Sequence, residues 1–175
     1  LGERGFLGAT LPEEYGGAGV SHVAYGLIAR EIEAVDSGYR SAMSVQGSLA
    51  MYPIYAFGSE EQKDRWIPAL ASGEAIGCFG LTEPDFGSNP GGMRTTARRQ
   101  GDEWVLNGSK QWITNGSFAS TFRVFAREGE RASAFVVRAG AEGFAVTREE
   151  EKMGLHSSST ADLGRYAARN HLIEP

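Results

Sequence analysis

Three histidines, one cysteine and 22 acidic residues are the side chains of this 175-residue chain with the widest chemical reach, and their spacing argues against several chemistries. His22, His156 and His171 lie too far apart to form a metal-ligand set, so no metal site is assigned. Cys78 stands between Gly77 and Phe79 in an apolar run, which suits a small buried side chain better than a nucleophile. As the only cysteine it has no disulfide partner within the chain, which weakly favours a reducing compartment. No G-x-G-x-x-G or Walker sequence occurs, and no Ser/His/acid arrangement has local support. Arg94, Arg98 and Arg99 form a basic patch able to meet an anionic cofactor, though a solvated strand face is the plainer reading. Arg40 follows Asp36 by four residues, the spacing of a helix-surface ion pair worth only about 0.2–0.5 kcal/mol. Seventeen basic against 22 acidic residues give a net charge of −5, which disfavours nucleic acid as a partner.

The elements that must position these groups change character near Gly73. Before it, Ala24, Leu27, Ile28 and Val35 recur at helical spacing after Ser21, a plausible N-cap, and the Gly-rich loop from Glu13 to Gly19. A second helix is expected from about Asp36 through Ala42, Val45 and Leu49, with Pro53 breaking or restarting it. Ser59-Glu60-Glu61-Gln62 has the spacing of a capping box, Gly73 is a good stop, and Pro68 is expected to divide the helix between them. After Gly73 the pattern is strand-like. Trp104-Val105-Leu106 and Gln111-Trp112-Ile113 flank Asn107-Gly108, a strong hairpin signal. Phe122 to Ala126, Ala134 to Val137 and Phe144 to Thr147 are further strands. Asn107-Gly108-Ser109 and Asn115-Gly116-Ser117 match glycosylation sequons but read better as turns. The fold class is therefore α+β, with a partial helical domain over 1–73 and an all-β domain over 74–175. No run of about 18 apolar residues is present to span a membrane.

Two segments carry a family resemblance. Phe79-Gly80-Leu81-Thr82-Glu83-Pro84-Asp85-Phe86-Gly87-Ser88 resembles the T-E-P-x-x-G-S signature of acyl-CoA dehydrogenases, and Trp112-Ile113-Thr114-Asn115 resembles the W-I-T-N segment that follows it. Asn107-Gly108-x-Lys110 also fits. The resemblance implies that Phe79 through Ser88 and Trp112, Ile113 and Thr114 line an FAD, with Ser88 also touching acyl-CoA. That is chemically sensible. Thr82 and Thr114 can hydrogen-bond the polar edge of a flavin, Trp112 offers it a flat apolar face, and Gly87-Ser88 lets backbone approach closely. Without the resemblance, Trp112 would read as a core aromatic of a β-hairpin.

A third segment, Val23 to Leu27 followed by Asp36 to Gln46, is similar to glutaryl-CoA dehydrogenases. There the Arg-Ser pair, here Arg40 and Ser41, lies beside the acyl end, and a guanidinium can grip the free carboxylate of glutaryl-CoA with two hydrogen bonds. The resemblance implies oxidation and decarboxylation of glutaryl-CoA to crotonyl-CoA, electron-transferring flavoprotein as electron acceptor, and a homotetrameric parent. The compartment is the cytoplasm in a bacterium or the mitochondrial matrix in a eukaryote. A general short-chain acyl-CoA dehydrogenase and a non-catalytic flavin-binding module are the alternatives. No catalytic base is assigned, because the family carries it on a carboxyl-terminal helical bundle that this chain lacks; the opening at Leu1 likewise reads as a fragment. Asn89 stands where the signature has Asp, His156 makes Gly154 to Ser158 a looser match to G-L-R-x-S, and Gly164 to Arg169 departs from the family's apolar strand, with Leu172 to Pro175 only faintly similar.

Overall fold

The computed structural model describes residues 1–150 and 158–168. The matches around Gly154 to Ser157, Arg169 and Leu172 to Pro175, together with His156 and His171, lie outside the described residues.

The first half is helical because its caps are local and satisfied. Ser21 accepts the Ala24 amide at 3.2 Å and starts α1 (His22–Val35). Asp36 ends α1 and caps α2 (Ser37–Ser44), accepting the Gly38 and Tyr39 amides at 2.6 and 3.2 Å. The chain then widens into a π-helical turn, Val45–Met51, and resumes as α3 (Tyr52–Phe57) with Pro53 in its first turn, where a missing amide costs no intrahelical bond. Both halves of the Ser59–Gln62 capping box are present at the start of α4 (Glu60–Ser72), and Gly73 closes it at φ 85°. Pro68 does not divide α4, contrary to expectation. Trp66, Ile67, Leu70 and Ala71 on either side of it are buried in the helical core, and that burial outweighs one lost hydrogen bond.

Among the described residues seven strands follow: β1 (Gly77–Gly80), β2 (Thr96–Gln100), β3 (Glu103–Thr114), β4 (Thr121–Glu128), β5 (Arg131–Arg138), β6 (Phe144–Glu149) and β7 (Ser158–Ala168). They form one sheet in the order β1-β4-β2-β3-β7-β6, with β5 on the other edge of β4. One edge of β4 is shared in sequence: β1 pairs parallel with its first half, and β2 meets it at Thr96–Arg127. The segment between β1 and β2, residues 81–95, therefore loops out of the sheet. Strands β4 and β5 are covered on both faces. Phe122, Val124, Phe135 and Val137 face a core enclosed by the curled sheet, while Ala134 and Val136 pack with Met43, Met51, Ile54, Ile67 and Leu70 of the helices.

The hairpin is not where Asn107-Gly108 predicts it. Strand β3 runs straight through that dipeptide, and the turn to β2 is Gly101-Asp102. Gly108 answers a different need. A Cβ there would sit 2.4 Å from Thr95 Oγ1, and the residue holds φ 153° where the ladder to β7 slips. Asn115-Gly116-Ser117 does form a turn after β3.

Polar side chains shut away from water fasten these parts together. Gln46, 1% exposed, donates to the carbonyls of Leu70 and Ala75 at 2.8 Å each and accepts the Gly77 amide at 2.7 Å, tying helix end, linker and β1. Arg123 of β4 is fully buried and reaches the Ala50 carbonyl in the π-helical turn at 2.9 Å. Glu83 does the same for the 81–95 loop: it meets Lys110 Nζ of β3 at 2.8 Å and the amides of Arg94 and Thr95 at 2.6 and 2.9 Å. Lys110 also donates to the Leu81 carbonyl at 3.0 Å. Burial works to raise the Glu83 carboxyl, but Lys110 and the loop amides overcome it and hold the group down at about 2. Burial lowers Lys110 in turn, with Glu83 opposing that shift.

Two outcomes follow from these fastenings. Gln46→Met leaves three buried backbone groups unpaired and should cost on the order of 2–5 kcal/mol in urea unfolding; an unchanged midpoint would contradict the role given to Gln46. The Glu83 carboxyl is depressed in the folded state, so its contribution is complete above its ordinary value of 4.5 and is lost as pH falls toward about 2. Lys110→Met should cost about 3–5 kcal/mol at pH 7 and move the acid limb of the unfolding profile upward. An acid limb that stays put would show that Glu83 does not depend on Lys110.

Candidate functional site

Beside this clamp, Gln111 donates its amide to the Thr82 carbonyl at 2.8 Å, so the loop is laid against β3 at the residue before Trp112. What happens to Trp112 is decided by a β-bulge. Strand β7 pairs Lys110 with Ala161 and Ile113 with Ser159, so Gln111 and Trp112 together oppose the single Thr160. Strict alternation would place Trp112 on the same face as buried Lys110. The extra residue instead returns Ile113 to the core, 1% exposed, and turns Trp112 outward with half of its surface free. Trp112 adopts φ 60°, a conformation that costs a bulky residue energy and that persists because the flanking ladder fixes it. The indole is thus an exposed flat surface held on a rigid strand, beside the half-buried threonines Thr82 and Thr114.

The sequence-derived positions divide by where their side chains go. Ser88 and Gly87 are exposed at the outer end of the loop, next to half-buried Phe86. Pro84 is exposed, and Asp85 is paired with Arg94 at 3.1 Å on the surface. Phe79 points to the helical side and packs on Phe125 at 4.9 Å between ring centroids. Gly80 is buried against β4 and Lys110, and Leu81 gives its carbonyl to Lys110. Ile113 is in the core, and the Glu83 carboxylate is turned inward, so those two side chains shape the loop and strand from within. Burial raises the Cys78 thiol far above its ordinary range, which removes it from nucleophilic chemistry.

Arg40 and Ser41 belong to α2. The Arg40 guanidinium does not pair with Asp36, which is occupied in capping; Nε meets Glu33 Oε2 of α1 at 2.5 Å. Arg40 and then Ser37 hold the Glu33 carboxyl below its usual range. Ser41 is buried. No hydrogen bond or ion pair among the described residues joins α2 to the 81–95 loop.

Sequence reasoning named Glu83 and Lys110 but missed the contact by which they build this site from beneath. Lys110 and Glu83 are 27 positions apart and carry no local signal of their contact. A second cluster flanks the bulge: Glu150, 9% exposed, accepts from Thr160, Arg148 and Gln111 at 2.5, 2.7 and 3.2 Å. Thr160 first and Arg148 next keep its carboxyl below the usual range. Among the described residues, no cluster of three His, Cys, Asp or Glu side chains could hold a metal ion, and no helix is long and apolar enough to cross a membrane.

Comparison with known proteins bears on the two halves of the chain. Residues 1–74 match the acyl-CoA dehydrogenase N-terminal domain and residues 78–164 the acyl-CoA dehydrogenase middle domain. The short-chain specific acyl-CoA dehydrogenase, mitochondrial, of Mus musculus is 44% identical over 168 residues, covering 93% of this chain and 41% of that protein. The chain thus spans less than half the length of this curated relative. Among solved structures, a glutaryl-CoA dehydrogenase from Mycobacterium smegmatis in complex with FADH2 superposes with a TM-score of 0.94 at 50% identity, covering 98% of this chain and 45% of that one. Butyryl-CoA dehydrogenase from Megasphaera elsdenii gives 0.91 at 34% identity, over 97% and 48%. With a helical half and a curled sheet that both match, in order, along nearly all of its length, this chain belongs to the acyl-CoA dehydrogenase family.

Proposed function

We propose that the protein carrying this chain is an FAD-dependent acyl-CoA dehydrogenase, and that its substrate is glutaryl-CoA, oxidised and decarboxylated to crotonyl-CoA. The observation that carries the flavin reading is the outward-turned Trp112 beside Thr82 and Thr114. An isoalloxazine ring needs a flat apolar neighbour and hydrogen-bonding groups at its edge, and these three residues fit both needs. When bound, FAD supplies the acceptor for the two electrons taken from the thioester. The chain's own residues bind and orient: Trp112, Thr82 and Thr114 the flavin, Ser88 the acyl-CoA, and the shell of Phe79 through Phe86 and Ile113 the shape of the bed. The carboxylate that removes the α-proton is proposed to lie outside this chain, on a carboxyl-terminal helical bundle. Electron-transferring flavoprotein as electron acceptor, a homotetrameric parent, a domain division at residues 73 and 74, and a bacterial cytoplasmic or eukaryotic mitochondrial-matrix compartment complete the reading.

The substrate assignment rests on Arg40 and Ser41. A guanidinium suits the distal carboxylate of glutaryl-CoA, and the 50% identity to the Mycobacterium smegmatis glutaryl-CoA enzyme supports it. One observation favours a second reading, a general short-chain acyl-CoA dehydrogenase: Arg40 already has a carboxylate partner in Glu33, with which a substrate carboxylate must compete.

Two measurements on the full-length protein test these readings. Trp112→Gly should lower FAD affinity about tenfold or more while leaving stability unchanged or raised, because glycine accepts φ 60° without strain. A core aromatic would instead cost about 3–5 kcal/mol on truncation, and that result would reject the flavin bed. Arg40→Ala should cost on the order of 2–5 kcal/mol of discrimination between glutaryl-CoA and butyryl-CoA, with carbon dioxide released only from the former. Equal responses of the two substrates would assign the short-chain reading.

A further inference from the structure

Thr160 of β7 meets an irregular neighbour on both sides. On one side, Gln111 and Trp112 of β3 oppose it together. On the other, β6 pairs Val146 with Ala161 and Arg148 with Thr160, so Thr147 is the extra residue of a second bulge. The Thr147 hydroxyl turns back to the Thr160 carbonyl at 3.5 Å. A bulge interrupts its ladder locally, so two of them flanking one residue leave the backbone there short of pairing. Something else must hold the three strands in register.

Glu150 is placed to do so. It directly follows β6 and is 9% exposed. One of its oxygens, Oε1, accepts from all three strands: Thr160 Oγ1 at 2.5 Å, Arg148 Nη2 at 2.9 Å and Gln111 Nε2 at 3.2 Å. Oε2 takes a second contact from Arg148 at 2.7 Å. Hydrogen bonds to a carboxylate are roughly twice as strong as neutral ones. Gln111 is thereby fastened twice, by its backbone amide to the Thr82 carbonyl and by its side chain to Glu150. Trp112 comes next, at φ 60°, a conformation that a bulky residue keeps only where its surroundings fix it. With the Glu150 carboxylate gone, the side-chain anchor of Gln111 is lost and the bulge can relax toward ordinary alternation.

We propose that Glu150 is a positioning residue: by gathering Gln111, Thr160 and Arg148 on one carboxylate it fixes the paired bulges that turn Trp112 outward, and through Trp112 it sets the flavin seat. The last step rests on the flavin reading of Trp112; the hold on the bulge does not.

The test uses the full-length, FAD-bound protein labelled with 5-fluorotryptophan, with each fluorine resonance identified by its loss in Trp66→Phe, Trp104→Phe or Trp112→Phe. FAD affinity is measured alongside by titration of the apoprotein. Glu150→Ala should move or broaden the Trp112 resonance, leave those of Trp66 and Trp104 in place, and weaken FAD about tenfold. Glu150→Gln keeps a carbonyl oxygen for the three donors and should recover both properties. Glu149→Ala removes the same charge from the exposed neighbouring position and should change neither. Four results overturn the proposal: a Trp112 resonance that stays put in Glu150→Ala, all three resonances moving together, no recovery in Glu150→Gln, or FAD weakened by Trp112→Gly but not by Glu150→Ala. If the Trp112 resonance moves in Glu150→Ala while neither that variant nor Trp112→Gly weakens FAD, Glu150 is upheld as the holder of the bulge and the flavin bed is rejected.

Discussion

A carboxylate and an ammonium group withdrawn from water must find each other, and in this chain that necessity organises the site. Glu83 and Lys110 are 5% and 1% exposed at the side chain, so neither can fall back on solvent. Glu83 stands near the start of the 81–95 loop and accepts amides near its end, so a single side chain closes the loop on itself and Lys110 pins it to β3. Once the loop is pinned, the Gln111–Thr82 bond sets its height on the strand, and the bulge at Gln111-Trp112 decides which way the indole faces. Each step constrains the next, and the exposed loop tip around Gly87 and Ser88 inherits its position from the buried base.

The same logic joins the two halves of the chain. Strands β4 and β5 have apolar residues on both faces, so the helices are an obligatory cover for one of them. The seam is then crossed by polar side chains whose other options are gone. Gln46 and Arg123 each satisfy a backbone group from the opposite half, and Arg123 reaches into the π-helical turn, where the backbone departs from regular helical geometry. The helix carrying Arg40 leads directly into that turn, so its placement relative to the sheet depends on these few hydrogen bonds.

What could be read from the sequence was what is decided locally. Ser21, Ser59 with Gln62, and Gly73 act on neighbours within one helical turn, and the structure places each of these caps as the spacing predicts, while Asp36, read only as a helix start and a partner for Arg40, is the cap of α2. Asn107-Gly108 misled because the feature that requires glycine there, Thr95 at the end of the 81–95 loop, lies outside the local window. Pro68 misled because the burial around it is tertiary. The outward face of Trp112 was illegible for a similar reason: a bulge is defined by the partner strand, and β7 is more than forty residues further along. The 79–88 and 112–114 segments were singled out by family resemblance, which marks positions without showing which side chains turn inward. Glu83 and Ile113 show the difference.

The central claim is that the buried clamp and the bulged tryptophan act as one unit in holding a flavin. A double-mutant cycle on FAD affinity in the full-length protein, combining Lys110→Met with Trp112→Gly, measures this most directly. The account predicts strong coupling, with the double variant losing little more affinity than the worse single variant, to within about 0.5 kcal/mol. Losses that simply add would contradict it, showing that the clamp and the indole serve separate ends.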